Sequence, residues 1–312
     1  MATISNDTAD LTPRTEFDGP TLEFDFPAFQ IGVAEYDEGP TGCTVFYFPK
    51  GAMMAADVRG GAVGQFMVEE HMYRKAICLV GGSLYGLEAA TGVAAELLAQ
   101  ADYSKDFWDI AAVAGACVYD FGFRQNSIYP DKDLGRAAIK AAQPGKFPMG
   151  QRGAGVLATV GKAAGGLKAE RGGQGAAFLQ VGEVKIAAFV VVNAMGAIHD
   201  RDGNVVRGHI DRSTNTRSPI SSGESAPVTA NTTLSVIVTN QQLNRQEVQV
   251  GRQVHASMAR AIQPFHTGED GDTLFTVTTN EVRDESMNVT KLASLASELM
   301  WDAVLASYEQ ES

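Results

Sequence analysis

The stretch Ala230-Asn231-Thr232-Thr233-Leu234-Ser235-Val236-Ile237-Val238-Thr239-Asn240 constrains this chain more than any other. Residues 211–230 before it, DRSTNTRSPISSGESAPVTA, are mostly Ser, Thr, Pro and small side chains. A structureless loop of that length inside a compact domain is uncommon and is often functional. From Thr232 onward the residues are apolar and β-branched, which predicts a core strand. One backbone cut at Asn231-Thr232 makes Thr232 the first residue of that strand. A threonine with a free α-amine carries a nucleophile and its general base on one residue. An α-amine has a pKa of about 7.7–8.0, so a useful fraction is unprotonated near neutral pH. The alternative reading is that Thr232 only opens a β-branched strand.

The surrounding pattern fits a sheet buried on both faces. Residues 185–193, KIAAFVVVN, are almost continuously apolar, as in a strand covered on two sides. Further strands are expected at Phe29–Glu38, Gly42–Phe48, Ala76–Val80, Ala176–Val181 and Thr273–Thr279. Helices are expected after Gly92, over Asp106–Tyr119, from Asp131, over Arg245–Ile262 and over Val289–Tyr308. Two helical layers around a core of sheet bury this many apolar strands. The fold class is therefore α/β (α+β), a four-layer αββα sandwich. Residues 1–20 read as a flexible arm and 21–312 as one domain.

Four polar residues outside the Thr232 strand invite chemistry. Asp270 and Asp272 lie two apart in the acidic turn HTGEDGDTLF, where they can orient a hydroxyl and support an ammonium. A solvated turn is the plainer reading. Lys162 sits among glycines and alanines, where desolvation lowers an amine's pKa, unless it is a surface lysine. Asn193 ends the apolar strand, where its amide can donate to an oxyanion or simply close a turn. Tyr85, central in the glycine-rich segment Gly81–Gly92, is a candidate pocket residue for substrate or a packing residue. That segment lacks the phosphate-loop ending and the dinucleotide spacing.

Composition narrows the classes. The 312 residues carry a formal net charge of −12, which argues against nucleic acid or an anionic membrane as partner. No apolar run reaches the roughly 20 residues of a membrane span. The five histidines show no metal-ligand spacing, and the three cysteines, Cys43, Cys78 and Cys117, match no zinc pattern. A metal site is not expected. Buried free thiols and the absence of a signal-peptide pattern suggest a reducing cytoplasm.

Gly82-Ser83-Leu84-Tyr85-Gly86-Leu87-Glu88-Ala89-Ala90-Thr91-Gly92 resembles the signature loop of the L-aminopeptidase/D-esterase family of self-processing hydrolases. Arg59-Gly60-Gly61-Ala62-Val63-Gly64, Tyr129-Pro130-Asp131-Lys132, Asn231-Thr232-Thr233, Ile262-Gln263-Pro264-Phe265-His266-Thr267 and Asp270-Gly271-Asp272-Thr273-Leu274-Phe275 resemble the 6-aminohexanoate-oligomer endohydrolases within it. The resemblance runs from about residue 22 to 307, while Asp211–Ala230 and Ala163–Arg171 depart from it. It implies an αββα fold like that of N-terminal-nucleophile hydrolases. It implies a precursor that severs itself into 1–231 and 232–312. Thr232 would be the nucleophile, Asp270 and Asp272 its supports, and Lys162 and Asn193 the remaining site residues. A homotetramer of cleaved pairs, no cofactor, and linear and cyclic amide oligomers as substrates are further implications. Two rivals stay open: an aminopeptidase on the same scaffold, and an unprocessed binding or scaffold protein.

Overall fold

The computed structural model describes residues 3–165, 168–220 and 231–308. Nine strands form one mixed sheet: β1 (Gln30–Tyr36), β2 (Thr41–Val58), β3 (Gln65–Phe66), β4 (Met72–Val80), β5 (Val113–Cys117), β6 (Gly173–Val181), β7 (Val184–Asn193), β8 (Thr232–Gln241) and β9 (Thr273–Val282). The spatial order is β6-β7-β8-β9-β2-β4-β5-β3, with β1 also on β2. β8 runs antiparallel to β7 and parallel to β9. The long β2 belongs to both halves. Thr41–Tyr47 pairs with β1, Met53–Val58 pairs with β9, and the register with β4 breaks between Tyr47 and Ala52.

Side-chain alternation shows the layers. In β7, Ala187, Phe189 and Val191 share a core with Phe46, Phe48, Ile77, Leu79, Val236 and Phe275, which is the space between the two halves of the sheet. The intervening Ile186, Ala188, Val190 and Val192 pack instead on helices α3 (Glu247–Ser257) and α4 (Val289–Leu305), through Val250, Val254, Leu292, Ala296 and Met300. On the opposite outer face, Val45, Cys78 and Val80 pack on α1 (Glu88–Gln100) and α2 (Lys132–Lys140), through Ala89, Val93, Leu134 and Ile139. The order is helix, sheet, sheet, helix, as the sequence suggests. Asp131 starts α2 by accepting from Asp133 N and Leu134 N at 3.1 and 3.0 Å, and Asn288 starts α4 by accepting from Lys291 N at 2.9 Å.

One expectation is corrected. The helix over Asp106–Tyr119 is absent: Phe107–Asp109 is a single 3₁₀ turn, and Val113–Cys117 is β5, parallel to Ala76–Val80. Apolar spacing misleads there because Phe107, Trp108 and Ile110 face solvent, 73%, 83% and 62% exposed. The small Ala114, Gly115 and Ala116 suit a strand covered on both faces. Residues of the expected N-terminal arm touch the domain. Asn6 bonds Tyr129 and Asp131, and Arg14 reaches Glu35 at 2.6 Å while its backbone pairs with that residue. Of the polar loop, 221–230 lies outside the described residues, and 211–220 includes a short hairpin pairing Ile210–Asp211 with Thr216–Arg217.

Candidate active site

The polar residues singled out in the sequence converge where β7 ends and β8 begins. Asn193 is the last residue of β7, Thr232 is the first of β8, and the ladder sets them opposite each other. Directly opposed residues stand about 4.5–5.5 Å apart at Cβ. Both share the parity of Val191 and Leu234, so both face the space between the sheet layers. Thr232 is 3% exposed and Asn193 fully buried, and the uncut backbone continues through Asn231, also fully buried.

The acidic turn lies against this junction. Asn231 bridges Asp270 in parallel: its N–H donates to Glu269 O at 2.9 Å, and Gly271 N–H donates to Asn231 O at 2.8 Å. The Thr232 hydroxyl also donates to Asn231 O. That carbonyl therefore carries two donors. Position 271 has to be glycine, since a Cβ there would meet Thr232 Oγ1 and Ala62 O at 2.8 Å. The turn is braced by the glycine-rich segment after β2, with Arg59 N on Asp272 O at 3.1 Å and Ala62 N on Asp270 O at 2.8 Å.

Each carboxylate has its own donors. Asp270 accepts from Met195 N at 3.2 Å, from Thr267 Oγ1 at 2.6 Å and from Thr267 N at 3.3 Å. Asp272 accepts from Thr233 N at 2.7 Å, and from His266 through its backbone N–H at 3.1 Å and its Nδ1 at 3.0 Å. Burial, and then the neighbouring Asp272, push the Asp270 carboxyl up to about 6, against the opposing pull of the Thr267 and Met195 bonds.

Lys162 is buried on the other side of Asn193. Its Nζ donates to Thr159 O at 3.0 Å, Asn193 O at 3.1 Å and Asn193 Oδ1 at 3.0 Å. Three acceptors match the three protons of an ammonium. Burial nevertheless pulls the amine down to about 7, against Asp270 and Asp120, so the group titrates near neutrality. Lys162 and Thr159 N both donate to Asn193 Oδ1, which turns the amide so that Nδ2 donates to Tyr119 O at 2.8 Å. One Nδ2 proton is thus engaged by the Tyr119 carbonyl.

Five of the expected residues, Thr232, Asn193, Lys162, Asp270 and Asp272, are therefore buried together near the Asn231–Thr232 junction. Tyr85 stands apart from it. It is 66% exposed on the short turn Ser83–Gly86, with ring centroids 5.7 Å from Phe121 and 5.9 Å from Tyr129. Its turn joins the cluster indirectly: Gly82 N donates to Asp120 at 3.0 Å, next to the Tyr119 carbonyl that holds Asn193. Thr267, Met195 N, Tyr119 O and Gly271 N were not singled out from sequence. Thr267 and Gly271 lie within motifs already noted, whereas Met195 and Tyr119 enter through backbone atoms that no side-chain pattern announces. Among the described residues, no group of three or more His, Cys, Asp or Glu side chains could hold a metal ion, and no helix is long and apolar enough to cross a membrane.

The fold is shared with solved structures. A β-aminopeptidase of Burkholderia sp. superposes with a TM-score of 0.68 at 15% identity, covering 93% of this chain and 88% of that one. The L-aminopeptidase D-Ala-esterase/amidase of Ochrobactrum anthropi, described as a variant of the Ntn-hydrolase fold, superposes with a TM-score of 0.63 at 15% identity, over 94% and 88%. The αββα layering is thus an Ntn-type fold, and the family and relative that the chain matches make it a hydrolase acting on amide bonds. The chain belongs to peptidase family S58, whose model matches residues 24–310. It is 48% identical, over 96% of its length and 89% of the relative's, to the 6-aminohexanoate-oligomer endohydrolase of Agromyces sp. strain KY5R.

Proposed function

We propose that this amide hydrolase first cuts itself between Asn231 and Thr232 and then uses the freed Thr232 as nucleophile, on 6-aminohexanoate oligomers and related polyamides. The observation that carries the reading is the Asn231 carbonyl, which holds the Thr232 hydroxyl on one side and the Gly271 N–H on the other. In self-cleavage Thr232 Oγ1 bonds to the Asn231 carbon, the Gly271 N–H supports the developing oxyanion, and the C–N bond breaks as the amine takes the hydroxyl proton. Water then hydrolyses the ester, leaving a carboxylate on Asn231 and a free amine and hydroxyl on Thr232.

Substrate hydrolysis repeats the same steps in trans. The α-amine accepts the hydroxyl proton, an acyl-enzyme forms on Thr232, the proton passes to the leaving amine, and water releases the acid. The second Nδ2 proton of Asn193 serves the oxyanion, and Lys162 holds that amide in place. Asp270 and Asp272 set the position of the nucleophile and favour its ammonium form. The near-full-length likeness to a 6-aminohexanoate-oligomer endohydrolase supports an endo-acting enzyme. Tyr85, with Phe121 and Tyr129, offers an exposed apolar face for the aliphatic part of such a chain. A homotetramer of cleaved pairs in the cytoplasm completes the reading, and sedimentation of the processed protein checks the assembly.

Thr232→Ala tests the centre of this reading. The expected result is a single uncut chain on a denaturing gel and loss of at least about 10⁴-fold in amide hydrolysis. A cut or active variant overturns it. An uncut, inactive wild-type chain favours the scaffold alternative. The aminopeptidase alternative draws on the two fold neighbours that are aminopeptidases. Product sizes from a long oligomer decide it: mid-sized pieces first for endo action, monomer first for the alternative.

A further inference from the structure

Behind the acidic turn runs a circuit of polar groups that starts at Asp272 and whose other members the chemistry above leaves unused: His255 is buried, Asp57 and His266 are partly buried, and Arg59 is exposed. Asp272 Oδ2 receives both the backbone N–H and Nδ1 of His266, at 3.1 and 3.0 Å. Asp272 Oδ1 takes the N–H of Thr233, at 2.7 Å, and so grips the residue that follows the nucleophile. The His266 ring stands 4.3 Å from that of His255 on α3, nearly perpendicular at 81°. His255 is fully buried, with Nδ1 3.0 Å from Asp57 Oδ2. Asp57 pairs with Arg59 at 2.6 Å, and Arg59 N returns to the Asp272 carbonyl at 3.1 Å. The path closes on the residue where it began.

We propose that His266 is a positioning residue for the Thr232 nucleophile, acting through Asp272, with His255, Asp57 and Arg59 fixing the attitude of its ring. A carboxylate bonded only through one oxygen can swing about its Cβ–Cγ bond. Two donors on the other oxygen remove that freedom, so the Thr233 N–H, and with it the start of β8, is held in one place. Displacement of a reacting group by about 1 Å costs up to ~100-fold in rate.

Two features set His266 apart from an ordinary core histidine. Its backbone has φ +58°, the left-handed region that non-glycine residues seldom occupy and that clusters at functional sites. In addition, His255 and His266 each bond a carboxylate through Nδ1, while both Nε2 atoms are buried without a hydrogen-bond partner. Each ring thus hydrogen-bonds one carboxylate and is otherwise held by ring packing, His266 against His255 and Phe265, which is the work of an orienter rather than of a cross-link. Burial holds His255 below the ordinary imidazole value, against the pull of Asp57, so it backs His266 as a neutral ring.

The inference rests on Thr232 being the nucleophile, and the test keeps the two apart. In processed enzyme, His266→Ala is expected to lower kcat about 10- to 100-fold with little change in KM. His266→Asn, whose amide nitrogen takes the place of Nδ1 and whose backbone tolerates φ > 0, is expected to restore most of that loss. Wild-type kcat in H266A, or H266N no better than H266A, overturns the proposal. If H266A does not accumulate as folded protein, H266N is compared with His266→Gln, whose amide reaches the place of Nε2. A faster H266N supports the proposal and equal rates overturn it. An inactive T232A beside a fully active H266A removes only this inference, whereas an active T232A removes the reading beneath it.

Discussion

The space between the two sheet layers is filled in two opposite ways. Along its length it is aromatic and aliphatic. Phe189 alone has ring neighbours in Phe24, Phe29, Phe46 and Phe147, with centroids 5.0–5.9 Å away. At its end, where β7 stops and β8 starts, the same two strands bury Asn193, Thr232, Lys162, Asp270 and Asp272. Apolar burial yields about 25 cal/mol per Å² and asks little of geometry. Polar burial is unfavourable unless every group finds a partner. The aromatic end thus supplies stability, and the polar end depends on it to keep a costly arrangement in register.

That contrast can be broken from either side. The largest effect on chemistry short of removing Thr232 belongs to Asn193→Ala. We expect kcat to fall about 10²- to 10³-fold, as for loss of one oxyanion donor, with the fold retained by circular dichroism. At the aromatic end, Phe189→Ala should cost about 3–5 kcal/mol in chemical unfolding, while kcat of the folded fraction stays near wild type. A large kcat loss there would show that the two ends are not separable. The smallest effect is in pH. With the Asp270 carboxyl raised to about 6, the rate should climb as pH rises through that value and the carboxylate forms. Asp270→Asn should erase that acid limb, read from kcat against pH.

The same carboxyl gives a signed stability effect. Its folded value lies above the ordinary 3.8, so the folded chain binds the extra proton between about 4 and 6. This group therefore favours the folded state more below that window than above it. Lys162, lowered from 10.5 to about 7, acts in the opposite sense: its unfavourable burial is relieved as the amine loses its proton through pH 7 and above.

Much of this was legible in sequence because it is local. The change from polar loop to β-branched strand at Thr232, the strand ending at Asn193 and the turn carrying Asp270 and Asp272 are each contiguous patterns. What was illegible depends on distant partners. The helix expected over Asp106–Tyr119 failed because apolar spacing cannot tell a small-residue strand beside β4 from a helical face. His266 showed no spacing to any other histidine, since its neighbour His255 lies across a helix end and the circuit closes through Asp57 and Arg59, some 200 residues away in sequence.

The strand order has one more consequence for a chain severed at Asn231. Residues 232–312 contribute β8 and β9 as adjacent strands, and these lie between β7 and β2 of the other fragment. Neither product can leave without unzipping a ladder on both flanks. Dilution should not part them, and the two halves should melt in a single transition, a nicked molecule with two extra ends rather than a pair of subunits.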